Sequence, residues 1–259
     1  CLARYLNAQS ERGEPLCVVG DFNIDEVIPL LLKTVGALPN RSSTRPSLSE
    51  ERKLNLPALP ATRQFTYTSK IPQAASMVGW RIPSVTEDIR ELRRLNVLAS
   101  ILDDRLRTKL REELGATYSP QAHANASMVF NYGNLTAMSI GAPADVTKVT
   151  RIIHQMGLEL GAKGTTQDEL DRALKPLLSN LEKTLRNNGY WLNTVMAQSQ
   201  AEPYRLEWAR GRDADYGSIK LGEINALAAK YLVKDNAAQV TILPEKGPAE
   251  KQERGGGEQ

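Results

Sequence analysis

Leu110-Arg111-Glu112-Glu113-Leu114-Gly115-Ala116-Thr117-Tyr118-Ser119-Pro120 joins the end of a long amphipathic helix to the start of a strand. Reading back from Gly115, apolar residues recur at Ile89, Leu92, Leu95, Ala99, Leu102, Leu106 and Leu110, a spacing that fits one helical face. The helix is therefore expected to start near Ser84, where Ser84-Val85-Thr86-Glu87 forms a capping-box pattern, and to stop at Gly115, the residue type that tolerates the left-handed C-cap conformation. Arg111 then falls in the last helical turn and Tyr118 just beyond the joint.

Outward from this joint, the chain reads as strand (Leu16 to Gly20), helix (Ile24 to Val35), loop, strands Gln64 to Ser69 and Ala75 to Ile82, the long helix, and strands Thr117 to Met128 and Leu135 to Gly141. The turn Asn131-Tyr132-Gly133-Asn134 joins the last two as a hairpin. Helices follow at Ala144 to Leu160 and Thr166 to Met196, the second opened by the capping box Thr166-Gln167-Asp168-Glu169. A helix from Leu221 to Leu232 precedes a closing strand, Ala238 to Pro244. The pattern predicts an α+β fold, a mostly antiparallel sheet with helices packed on one face.

Ala3-Arg4-Tyr5-Leu6 followed by Leu16 to Asp21 is echoed by Ala229-Lys230-Tyr231-Leu232 followed by Ala238 to Pro244. This suggests that residues 1–39 end a preceding repeat, residues 40–62 form a linker rich in Arg, Ser and Pro, and residues 63–245 form the main domain. Residues 246–259, polar and containing Gly255-Gly256-Gly257, are expected to be a disordered tail.

Composition narrows the function. At 259 residues, 41% hydrophobic and 24% charged, the chain can bury a substantial core. No apolar run approaches the ~20 residues that span a bilayer, so membrane insertion is not expected. The net charge of +3, with no basic run interleaved with aromatics, argues against nucleic acid. Two cysteines, Cys1 and Cys17, do not make a disulfide framework. A zinc hydrolase needs paired imidazoles and a carboxylate around one metal. The two histidines, His123 and His154, stand far apart, neither with a partner at ligand spacing, and no phosphate loop or nucleophile elbow is present. Asp103-Asp104 reads as helix-surface charge beside Arg105 and Arg107. No metal site is expected within this chain.

The segment from Asp104 to Ser119 resembles the R-E-x-x-G-x-x-Y-S signature in the C-terminal half of pitrilysin/insulinase-type zinc metallopeptidases. Val18-Val19-Gly20-Asp21-Phe22-Asn23, followed by a helix and Leu38-Pro39, is similar to that family's V-V-G-D strand and helix. Asn187-Asn188-Gly189-Tyr190-Trp191-Leu192 is similar to the final repeat of its bacterial four-repeat branch. The matches reach from Cys1 to about Glu245.

The resemblance implies the C-terminal, substrate-binding half of a zinc-dependent endopeptidase, inactive alone, whose zinc is bound outside this chain. Arg111 would hold a substrate carbonyl and Tyr118 would donate to the oxyanion of the tetrahedral intermediate. The implied partners are peptide or unfolded polypeptide and the N-terminal repeats of the same protein, and the implied compartment is the bacterial periplasm or envelope. The residues alone leave two alternatives open. Tyr118 shares strand parity with Ala122, Ala124, Ala126 and Met128, which places it on the core face unless Ser119-Pro120 breaks the alternation, while Ser119, His123 and Asn125 share a polar face. The chain could also be a non-catalytic scaffold or interaction subunit that kept the fold without a zinc site.

Overall fold

The computed structural model describes residues 18, 20–38, 49–69, 71–85, 88–115, 119–197, 199 and 202–245. The expected first repeat copy around Tyr5, both cysteines, Tyr118 and the tail 246–259 lie outside them. Of the expected strand Leu16–Gly20, only Val18 and Gly20 are described, and neither is in a strand. The chain divides into two compact units, residues 54–173 with 220–259, and residues 1–53 with 174–219.

The first unit holds a five-stranded sheet. Its strands are β1 (Ala61–Tyr67), β2 (Ala74–Ile82), β3 (Gln121–Ala126), β4 (Gly133–Gly141) and β5 (Ala237–Pro244), in the order β1-β5-β2-β4-β3. Only β1 and β5 run parallel, and the other three pairings are antiparallel. β1 begins at Ala61, ahead of the expected Gln64.

Alternation along β2 separates the two faces of the sheet. Ala74, Ser76, Val78, Trp80 and Ile82 are buried while the residues between them are half-buried. On the buried face, Trp80 lies opposite Leu135, and Leu135 opposite Ala124. The helices α2 (Ile89–Leu114), α3 (Val146–Lys163) and α7 (Leu221–Tyr231) cover that face. α2 lies over β3 and β4, α3 lies over β2 and β5, and α7 touches both helices.

The apolar stripe read from the sequence is this contact. Leu95, Leu102, Leu106 and Leu110 are fully buried, each worth ~1.5–3 kcal/mol of transfer free energy. On α3, two glycines one turn apart permit close packing. A Cβ on Gly157 would lie 2.3 Å from Trp80 Cζ2, and one on Gly161 would lie 2.5 Å from the Leu232 carbonyl oxygen.

α2 starts later than the Ser84 capping pattern predicts. Asp88 is the N-cap, its carboxylate accepting from Arg90 N–H at 2.7 Å, and Ser84 is buried instead. A carboxylate directly before the helical run competes successfully for the free amides. The predicted stop holds: Gly115 has φ 83° and its N–H donates to the Arg111 carbonyl at 3.1 Å. The second capping box also forms, with Thr166 N–H donating to Glu169 Oε2 at 2.9 Å and Glu169 N–H to Thr166 Oγ1 at 3.3 Å.

In the second unit, α1 (Ile24–Thr34) buries none of its residues. The helix expected from Thr166 to Met196 breaks in two. α4 (Gln167–Thr184) begins in the sheet unit and stops at Thr184, in the second, and Asn187 starts a new turn by accepting from Gly189 N–H at 2.8 Å. Asn-Asn-Gly supplies an Asx cap and a poor helix former together, which favours restarting over continuing. A π-helical stretch, Trp191–Met196, follows, then α5 (Tyr204–Arg210) and α6 (Arg212–Gly217). Buried Tyr190, Leu192, Val195 and Tyr216 form the unit's core, and the Arg212 guanidinium lies 4.6 Å from the Tyr190 ring centroid.

Candidate functional site

The rotation of α2 about its axis fixes where Arg111 stands. Leu106 and Leu110 are fully buried, and one residue further on the helix has turned by about 100°, so Arg111 leaves the core and is exposed. Among the described residues its guanidinium makes no hydrogen bond or ion pair, while its carbonyl accepts the Gly115 cap. Its neighbours are engaged otherwise. Glu113 pairs with Lys109 at 2.9 Å and Lys148 at 3.6 Å, and the Lys109 ammonium holds the Glu113 carboxyl below the usual carboxylate range.

The far side of the joint is tied back to the same helix. Asp103 Oδ1 accepts from Ala122 N–H at 3.0 Å while Asp103 Oδ2 meets Arg107 at 2.6 Å. Asp103 is thus more than the surface charge expected of it, because it pins the start of β3 to the middle of α2. Asp104 meets Arg172 at 3.3 Å. The regular strand is shorter than the expected Thr117 to Met128, starting only at Gln121. Ser119 is exposed and Pro120 buried ahead of it. Tyr118 lies between Gly115 and Ser119, outside the described residues, so its expected core parity falls there too.

Ser119, His123 and Asn125 are all exposed, and His123 and Asn125 share the open side of β3 as alternation predicts.

Beside these last turns of α2 an open groove of about 570 Å³ runs between Asp104 and Glu112, with Met156 on its far wall. Its floor is a paired network. Arg105 Nε donates to Glu169 Oε1 at 2.6 Å, and Arg105 Nη2 donates to Glu169 Oε2 at 2.9 Å and to the Gly164 carbonyl at 3.0 Å. Arg105, with Thr165 and Thr166, holds the Glu169 carboxyl well below the usual carboxylate range. The sequence marks Glu169 only as a capping residue; its guanidinium partner, 64 positions away, leaves no local trace.

The histidines do not fit a metal centre. His123 projects from β3 on the open face of the sheet, opposite Thr136, while His154 stands on α3 across the buried face. His154 Nδ1 lies 3.5 Å from Gln239 Nε2, its Nε2 is buried without a partner, and burial followed by the Lys234 charge lowers its pKa. Among the described residues no three His, Cys, Asp or Glu side chains gather as a ligand set. No helix among them is long and apolar enough to cross a membrane.

This architecture is shared with solved peptidase structures. The periplasmic protease PqqL from Escherichia coli superimposes with a TM-score of 0.64 at 16% identity, over 88% of this chain and 25% of that one. A peptidase M16 inactive domain from Pseudomonas fluorescens gives 0.64 at 18% identity, over 87% of this chain and 52% of that one. In sequence, the chloroplastic stromal processing peptidase of Arabidopsis thaliana is 33% identical over 107 residues, 41% of this chain but 8% of the relative's length. The family model described as the peptidase M16 inactive domain matches residues 15–177, and the chain belongs to that family.

Proposed function

We propose that this chain is the substrate-contacting, non-catalytic half of a zinc-dependent endopeptidase, with Arg111 and Tyr118 reaching a zinc site carried by another repeat. The observation that carries it is Arg111: exposed and unpartnered among the described residues, on a helix end fixed by Leu110, Gly115 and the Asp103 tie to β3. A surface arginine that only balanced the helix dipole would need no such fixed frame. On this reading the zinc is held by another repeat, and among the described residues of this chain no three His, Cys, Asp or Glu side chains gather as a ligand set.

On this reading the Arg111 guanidinium donates to a substrate backbone carbonyl and the Tyr118 hydroxyl donates to the oxyanion of the tetrahedral intermediate. Loss of one such donor costs ~10²–10³ in rate. Residues 1–39, on the same reading, close a preceding repeat. An envelope compartment is supported by the periplasmic relative, while the chloroplastic one points to an organelle.

The test uses the full-length protein. Tyr118→Phe should lower kcat by roughly 10²-fold with KM nearly unchanged, and Arg111→Ala should raise KM as well as lower kcat. Unchanged turnover in Tyr118→Phe would overturn the oxyanion role and a normal KM in Arg111→Ala the carbonyl-holding role, whereas a full-length protein with no turnover at all would favour the scaffold.

A further inference from the structure

The sheet face opposite the helices has a composition of its own. Register places Phe65 opposite Ile242, Ile242 opposite Ala75, and Ala75 opposite Ile140, an apolar row across four strands. The next row on the same face holds Arg63, Val240, Met77 and Met138. Phe65 is 54% exposed and Ile140 48%, so this surface is open to solvent. An exposed apolar patch of this kind marks a binding surface, and its methionines let it adapt to varied side chains.

Charge on the face is one-sided. None of the paired open-face positions of the five strands is Asp or Glu, whereas Arg63, Arg81 and His123 all stand there. Arg81 is half-buried and donates to the Pro57 carbonyl at 2.7 Å. Arg63 donates only to the adjacent Thr62 carbonyl at 3.0 Å among the described residues, which leaves most of its donors to solvent.

We propose that this open face binds an extended polypeptide segment whose apolar side chains are interspersed with acidic ones. Apolar residues of the segment lie on Phe65, Met77 and Ile140, and a carboxylate meets the Arg63 guanidinium. A basic segment is disfavoured because its ammonium groups would meet only like charge. The proposal rests on the reading that this domain contacts polypeptide, and it sharpens that reading into a substrate class.

Binding by the 259-residue chain, with no turnover required, tests it separately from the kinetics of Arg111 and Tyr118. The probe is a fluorescein-labelled peptide of leucine and valine interrupted by glutamates, compared by anisotropy with the same peptide carrying lysines. The glutamate peptide should bind more tightly by about fivefold, the scale of an exposed ion pair. R63E should invert that preference and Arg63→Lys should keep it. Phe65→Ser should weaken both peptides by about tenfold, while Val129→Ser, at an exposed hairpin tip off this face, should leave both unchanged. Circular dichroism checks that each variant is folded, which their exposed positions favour. Equal binding of the two peptides, insensitivity to Phe65→Ser, or self-association that Phe65→Ser abolishes would each overturn the proposal.

Discussion

Gly157→Ala sets two effects of opposite sign against each other. In an exposed helix interior the change gains ~1 kcal/mol of helix propensity. At Gly157 the new methyl would lie 2.3 Å from Trp80 Cζ2 and 2.5 Å from Cη2, where carbon atoms normally rest ~3.5–4.0 Å apart. More than an ångström must be found, and Trp80 has nowhere to yield it. Its ring is fully buried on β2, a strand paired on both sides, with Leu135 and Ala237 opposite it. Overpacking of a tight core costs ~1–3 kcal/mol, and a rigid ring sits at the upper end. The expected net is a loss of about 1–2 kcal/mol, a midpoint lowered by roughly 4 °C for a unit of this size. Gly222→Ala in the first turn of α7 is the internal control. Its methyl meets nothing within 4 Å, so only propensity and unfolded-state entropy act and stability should rise by ~0.5 kcal/mol. Both variants should be followed by urea unfolding monitored by circular dichroism, reading the transition that loses the sheet. A Gly157→Ala protein as stable as the parent would refute the packing argument.

Glu169→Gln removes the charge that Arg105, Thr165 and Thr166 converge on, and should cost ~2 kcal/mol at neutral pH, the scale of hydrogen bonds to a charged group. Because the folded carboxyl titrates below its ordinary value of 4.5, this stabilisation is present above that value and is lost as pH falls through it towards the lower folded pKa. The gap between variant and parent should therefore close in acid, and a constant gap from pH 7 to pH 3 would count against the charge. His154 acts in the same direction for a different reason. Burial lowers its pKa below 6.5, so the unfolded chain takes the proton first and stability drops as pH falls below that value. His154→Leu should flatten the stability profile just below about pH 6.5, and an unchanged slope there would assign the acid sensitivity elsewhere.

Much of the α2 joint could be read without coordinates because its determinants are local. The apolar spacing from Leu95 to Leu110 names the buried stripe, Gly115 names the stop, and Thr166 with Glu169 names a helix start, since each depends on residues within a turn or two of one another. The same locality explains the misreadings. The Ser84 pattern reads as the helix start, but in the structure Ser84 is buried and Asp88, four residues on, is the N-cap. Asn187 likewise offered a turn inside an amphipathic run, and the break prevailed over the continuing helix.

Local pattern settled most of the sheet strands, the long helix and its stop, and the polar side of β3, but not the short helices Tyr204–Arg210 and Arg212–Gly217. Tertiary structure alone decided that β5 inserts between β1 and β2, that Asp103 holds Ala122, that Arg105 reaches Glu169, and that the two histidines stand on opposite sides of one sheet. Periodicity acts over neighbouring residues through the geometry of a single helix or strand. Strand order and long-range ion pairs depend instead on which distant segments meet when the shared apolar face is buried, and no short stretch of the chain encodes that choice by itself.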